Sequence, residues 1–109
     1  MVKNEKLNPN DSVSVVEFFF LEQVRHYNLE KKGVYTGYWW IEYEDEKKNI
    51  TINFDGDIGG HFHVYISMYG TKYSLWQYNR SVNNYTESTN ENILYQLKIL
   101  KQFIDEIGY

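Results

Sequence analysis

Two imidazoles two residues apart, His61 and His63, have the spacing in this chain best suited to metal chemistry. On a strand the side chains at i and i+2 share a face, so the pair can chelate a cation. A working site also needs a third ligand and an enclosed pocket. Val64–Gly70 holds no carboxylate and His26 is remote in sequence, which leaves Asp55 or Asp57 if the preceding turn folds back. The other reading of the pair is two exposed rings beside Tyr65 and Tyr69, which would make an interface pH-sensitive. Glu42, Glu44, Asp55 and Asp57 supply carboxylates for glycoside hydrolysis, yet their spacing selects no acid–base couple. Asp55-Gly56-Asp57-Ile58-Gly59-Gly60 begins like a calcium loop but lacks the later Glu of the EF-hand spacing. No serine stands in a Gly-x-Ser-x-Gly elbow, and no Lys follows Gly59-Gly60 to hold a phosphate. With no cysteine, thiol catalysis, disulfides and zinc ribbons are excluded. The sequons at Asn49, Asn79 and Asn84 matter only in a secreted chain. These residues imply no reaction, no cofactor and no metal; they point to surface recognition.

The elements that would position them are read from periodicity. Ser14-Val15-Val16-Glu17 has the form of a capping box, flanked by Val13 and Phe18 as a hydrophobic staple. It predicts a helix over Val15–Asn28 with Val16, Phe20, Val24 and Tyr27 on its buried stripe. Residues 1–11 are polar and read as a flexible tail; the segment from Glu30 to Gly37 reads as a connection. The period then becomes two. Trp39, Ile41 and Tyr43 alternate with Trp40, Glu42 and Glu44 over Tyr38–Glu44. Ile50, Ile52 and Phe54 alternate with polar neighbours over Asn49–Asp55. Phe62, Val64, Ile66 and Met68 alternate with His61, His63, Tyr65, Ser67 and Tyr69. A fourth, less regular strand is expected over Lys72–Val82. Ser88-Thr89-Asn90-Glu91 is a second capping box, opening a helix to Ile107 with Gly108 as its stop. Ile93, Leu97, Leu100, Ile104 and Ile107 form its stripe, widened by Leu94 and Phe103. The expected fold is α+β in the order α-β-β-β-β-α: a four-stranded antiparallel meander whose two helices cover one face.

Composition bounds the rest. At 109 residues the chain is expected to form a single domain with one core. The basic N-terminal stretch has no apolar run behind it, so it does not read as a signal peptide, and Phe18–Leu21 is far too short to span a membrane. These features fit a soluble cytoplasmic protein. Aromatics make up 18% of the residues, with eleven Tyr and three Trp, while alanine is absent. The net charge of −4 is local: Glu42, Glu44, Asp45, Glu46, Asp55 and Asp57 face only Lys47 and Lys48 between residues 38 and 60, and the rest of the chain balances. Such a field attracts a cationic partner and repels nucleic acid, and no Lys/Arg stripe exists to neutralise phosphates.

If the helices cover one sheet face, the other carries Trp40, Glu42, Glu44, His61, His63, Tyr65 and Tyr69, with Asp45, Asp55 and Asp57 in the turns. Aromatics interleaved with carboxylates suit a protein-binding surface. They also suit a carbohydrate- or ligand-binding platform of Trp40, Tyr65 and Tyr69. The chain resembles the small immunity proteins of bacterial polymorphic and contact-dependent toxin systems, especially the immunity partners of wall-associated nuclease toxins. The resemblance is one of layout. It is carried by the first helix, the Tyr38-Trp39-Trp40-Ile41-Glu42 strand, the segment Gly59-Gly60-His61-Phe62-His63-Val64-Tyr65-Ile66, a Trp76-bearing strand and a closing amphipathic helix. It implies a non-enzymatic cytoplasmic antidote that binds one cognate, basic toxin domain and blocks it. The interface residues named above come from alternation and charge, not from the resemblance.

Overall fold

Asn8 and Pro9, not Ser14, start the first helix. In a computed structural model that describes residues 5–108, the Asn8 side chain accepts the backbone N–H of Asp11 at 2.8 Å, and Pro9 takes the first helical position. Asn caps the orphan N–H groups and Pro loses no bond there, because its missing N–H would have been unpaired. Helix α1 therefore runs Pro9–Gln23 and begins inside the stretch read as tail. Of that tail, residues 1–4 lie outside the described residues. Lys6 bridges Thr89, and the Leu7 N–H donates to the Ser88 carbonyl at 2.8 Å. Val24 and Tyr27, expected on the helix, follow it and are buried. Phe18, expected as half of the staple, is 66% exposed.

The sheet has five antiparallel strands in the order β1-β2-β3-β4-β5, one more than the meander expected. They are β1 (Asn28–Val34), β2 (Trp39–Asp45), β3 (Ile50–Gly56), β4 (Phe62–Met68) and β5 (Thr71–Ser74). The additional strand is β1, which replaces the expected connection. It lies at the sheet edge with its first five residues exposed, so it carries no alternation. A register shift between Leu29 and Lys31 and the adjacent Lys31-Lys32 pair protect this edge against pairing with other chains. The last strand is shorter than expected. The Gln77 side chain accepts the Ser74 N–H at 2.7 Å and turns the chain into a short helix, α2 (Leu75–Tyr78). Asn79 then caps a 3-10 turn over Arg80–Asn84 by accepting the Ser81 N–H at 3.0 Å. Trp76 consequently lies on α2, not on a strand.

Helix α3 (Asn90–Gly108) is capped by Thr89, whose hydroxyl accepts the Asn92 N–H at 3.1 Å, one residue later than the capping box predicts. Its stripe of Ile93, Leu97, Leu100 and Ile104 is buried together with Gln96 and Ile99, whereas Leu94 points outward at 49% exposure. The Gln96 amide donates to the Tyr85 carbonyl, and Tyr78 of α2 donates to Glu106. One core joins α1, α3 and the inner sheet residues Trp39, Ile41, Tyr43, Ile50, Ile52, Phe54, Phe62, Val64 and Ile66. At its centre the Phe20 and Tyr43 rings stack 3.8 Å apart, with Phe54 edge-on to Phe20. The α+β class, the antiparallel sheet and a helix at each end are thus as expected. Among the described residues no helix is long and apolar enough to cross a membrane.

The two adjacent tryptophans of β2, Trp39 and Trp40, pack in opposite directions, each over a glycine. A Cβ at Gly56 would collide with the Trp39 indole on the inner face, and one at Gly33 would collide with the Trp40 indole on the outer face. The cross-strand pairings Trp39–Gly56 and Gly33–Trp40 bring each ring over its glycine.

Candidate partner-binding face

Register places the outward side chains in three rows across the uncovered face. The first reads Gly33, Trp40, Asp55, His63; the second Lys31, Glu42, Asn53, Tyr65, Ser74; the third Asn28, Glu44, Thr51, Ser67, Lys72. Six residues expected on this surface are therefore gathered on it: Trp40, Glu42, Glu44, Asp55, His63 and Tyr65. Trp40, Glu42, Glu44, Asp55 and Tyr65 are half-buried, and His63 is exposed. Asp55 accepts from the Asn53 amide at 3.0 Å; Lys72 Nζ lies 4.4 Å from the centre of the Tyr65 ring.

The other expected residues lie elsewhere. Asp45 is 5% exposed at the end of β2, its carboxylate accepting the Lys47 N–H at 3.1 Å, so it builds the β2–β3 turn. Tyr69 sits at the tip of the β4–β5 hairpin, 79% exposed with φ 51°, at the end of the sheet opposite Trp40. The three rings expected as a sugar platform are therefore not side by side. Asp57 and His61 form the β3–β4 turn at the rim of the face. The Asp57 carboxylate accepts the His61 N–H at 3.0 Å, and His61 pairs with Glu87. Among the described residues, His61 and His63 gain no third ligand.

Two acidic residues outside the expected binding set join this face, Glu46 having been counted only in the net charge of the stretch. Glu30, at the β1 register shift, and Glu46, in the β2–β3 turn, converge on Glu44, with one carboxylate oxygen of each within 4.8 Å of the others. Desolvation, then repulsion from Glu30, Glu46 and Glu42, with a hydrogen bond to Glu30, raises the Glu44 carboxyl above its ordinary range. None of the ion pairs Lys6–Glu87, Lys32–Glu17 and Lys101–Asp105 includes these four glutamates, and Lys31 lies across from Glu42 in register. Glu30 becomes legible only once β1 is recognised as a strand.

A second feature lies at the Trp40 end of the face. Tyr38, Trp40, Asp55, Asp57 and Ile58 line an open groove of about 580 Å³, completed by Trp39, Gly56 and Gly59. Tyr35 and Tyr38 stack at 4.7 Å across the β1–β2 turn, where Gly37 supplies a φ of 91°. Ile58, one of the lining residues, is 79% exposed. Aromatic residues on either side of a turn glycine were the available sequence signal for this groove.

The face offers fixed negative charge and aromatic area on a rigid sheet. Compared with known protein families, curated proteins and solved structures, the chain matches none.

Proposed function

We propose that this protein is a non-enzymatic, cytoplasmic immunity protein that neutralises a basic toxin domain, not by chemistry of its own but by covering that domain with its open sheet face. The observation that supports this reading is the convergence of Glu30, Glu44 and Glu46, with Glu42 adding to the repulsion on Glu44 and no ion pair reaching the three among the described residues. Holding like charges together raises the free energy of the isolated domain, and a cationic partner relieves that repulsion on binding. A nuclease toxin needs a positive surface to hold nucleic acid, so its substrate-binding region is complementary to this face. Aromatic area at Trp40 and Tyr65 adds apolar contact around the charge.

The test is co-expression with any basic toxin domain found encoded beside this gene, scored by growth rescue and by binding kinetics. One such domain should be neutralised. Its association rate should fall steeply with salt, and E42K/E44K should weaken binding mainly through slower association. Absence of rescue by any of them, or full rescue by the charge-reversed variant, would remove this reading.

A further inference from the structure

We propose that the groove between Tyr38, Trp40 and the β3–β4 turn is an anchor pocket for an arginine side chain of a protein partner. The inference rests on the partner-binding reading above and names the group that this surface takes up. Three observations carry it. First, the lining is mainly apolar, from Tyr38, Trp40 and Ile58, with the acidic residues Asp55 and Asp57 at its border, and no Lys or Arg lines the groove. Lys6, at the groove's border, donates to the carbonyl of the lining residue Gly59 at 3.3 Å and pairs with Glu87 at 3.7 Å.

Second, each carboxylate has one oxygen already fixed by a neighbour. Asn53 donates to Asp55 Oδ1, and the His61 N–H donates to Asp57 Oδ1. That orients both groups and leaves the second oxygen of each with no hydrogen-bond partner among the described residues. Third, the walls are held in place before any ligand arrives. Tyr38 is stacked on Tyr35, Trp40 is seated over Gly33, and the Asp57 N–H and Gly60 N–H close the β3–β4 turn at 2.8 and 3.1 Å.

A flat guanidinium stacks on an aromatic face and presents several N–H donors in one plane, so it satisfies rings and carboxylates together. A lysine ammonium has no plane to stack and bonds as a point charge. The aliphatic stem of arginine meets the apolar wall at Ile58. A phosphate or nucleic acid meets the negative charge of Asp55 and Asp57 here.

The experiment titrates the intact, isotope-labelled chain with N-acetyl-arginine methylamide, its citrulline and lysine counterparts, and cellotetraose, followed by NMR. The arginine probe should shift the Trp40 indole N–H and the Ile58 amide saturably. The uncharged citrulline probe should bind about tenfold more weakly or not at all. D55N/D57N keeps the shape and the Oδ1 acceptors, and should weaken the arginine probe about tenfold with the spectrum otherwise native. Equal binding of citrulline, shifts centred on Glu30 and Glu44, or a response to cellotetraose alone would overturn the pocket. The two readings fail separately. A toxin domain that is bound normally by D55N/D57N but weakly by E42K/E44K removes the anchor and keeps the immunity function. Arginine binding without any neutralised toxin does the reverse.

Discussion

The two faces of this sheet are made by the same three central strands and do opposite things. Toward the helices, β2, β3 and β4 present Trp39, Ile41, Tyr43, Ile50, Ile52, Phe54, Phe62, Val64 and Ile66, all buried in one cluster. Toward solvent the same backbones present Trp40, Glu42, Glu44, Asp55, His63 and Tyr65, where like charges crowd and the helices give no cover. Burial of the first set holds the fold, since each large side chain removed from water contributes about 1.5–3 kcal/mol. The second set adds little stability, and part of it works against stability. A sheet that keeps repelling carboxylates on one side is stable because the other side is well packed.

Breaking the covered face should have the largest effect. Phe20→Ala empties the space between Tyr43 and Phe54 and should lower unfolding free energy by about 3–5 kcal/mol in urea titration. Loss below about 1 kcal/mol would mean that the stack is not central. Gly56→Ala is next. The added methyl meets the Trp39 indole from below and should cost about 1–3 kcal/mol, read by the same titration and by altered tryptophan fluorescence. Asn8→Ala loosens the helix that covers the sheet and should cost about 1 kcal/mol. Ser14→Ala, on the exposed side of α1, should stay within about 0.5 kcal/mol of the parent. The reverse order would restore Ser14 as the cap.

The smallest effect has the opposite sign and belongs to the open face. The Glu44 carboxyl is raised in the folded state, so the folded protein binds its proton more readily than the unfolded chain. Its contribution is therefore favourable below the ordinary Glu range and is lost as pH rises through the raised value. Glu44→Gln should raise Tm at pH 7, leave Tm little changed at the acid end of the carboxylate range, and flatten the pH dependence between them. Scanning calorimetry across that range checks the sign. A lower Tm at pH 7 would mean that Glu44 is a stabilising group and not a repelled one.

Alternation was readable where one face was covered, and there it assigned inner and outer residues correctly along β2, β3 and β4. It also bears on Asp45, which is in phase with Trp39, Ile41 and Tyr43 and is indeed buried; grouping it with the surface acids set charge above phase. Strand β1 was illegible because an exposed edge has no apolar face to alternate. The capping box at Ser14–Glu17 competed with Asn8-Pro9, and the proline-assisted cap prevailed at the earlier position. The length of β5 was set by the Gln77 side chain returning to Ser74, a local bond without a hydrophobic period. Tyr69 left the binding face because the hairpin turns there, placing it and Gly70 at positive φ. The Glu30–Glu44–Glu46 convergence depends on β1 and on a turn, so it emerges only in three dimensions.

The seat of Trp40 over Gly33 links the open face to the sheet edge. Gly33 is paired with Trp40 in β1, the strand with one neighbour and a register shift, so this ring is part of what holds the edge closed. Edges of this kind open locally far more often than a whole domain unfolds. A guest resting on the other side of the indole would restrain the ring and, through it, the strand beneath. Amide hydrogen exchange should then slow at Lys32, Gly33 and Val34 when the groove is filled, while Thr71–Ser74 at the far edge keeps its native exchange rates. Occupancy of the groove would be recorded as protection of the strand beneath it.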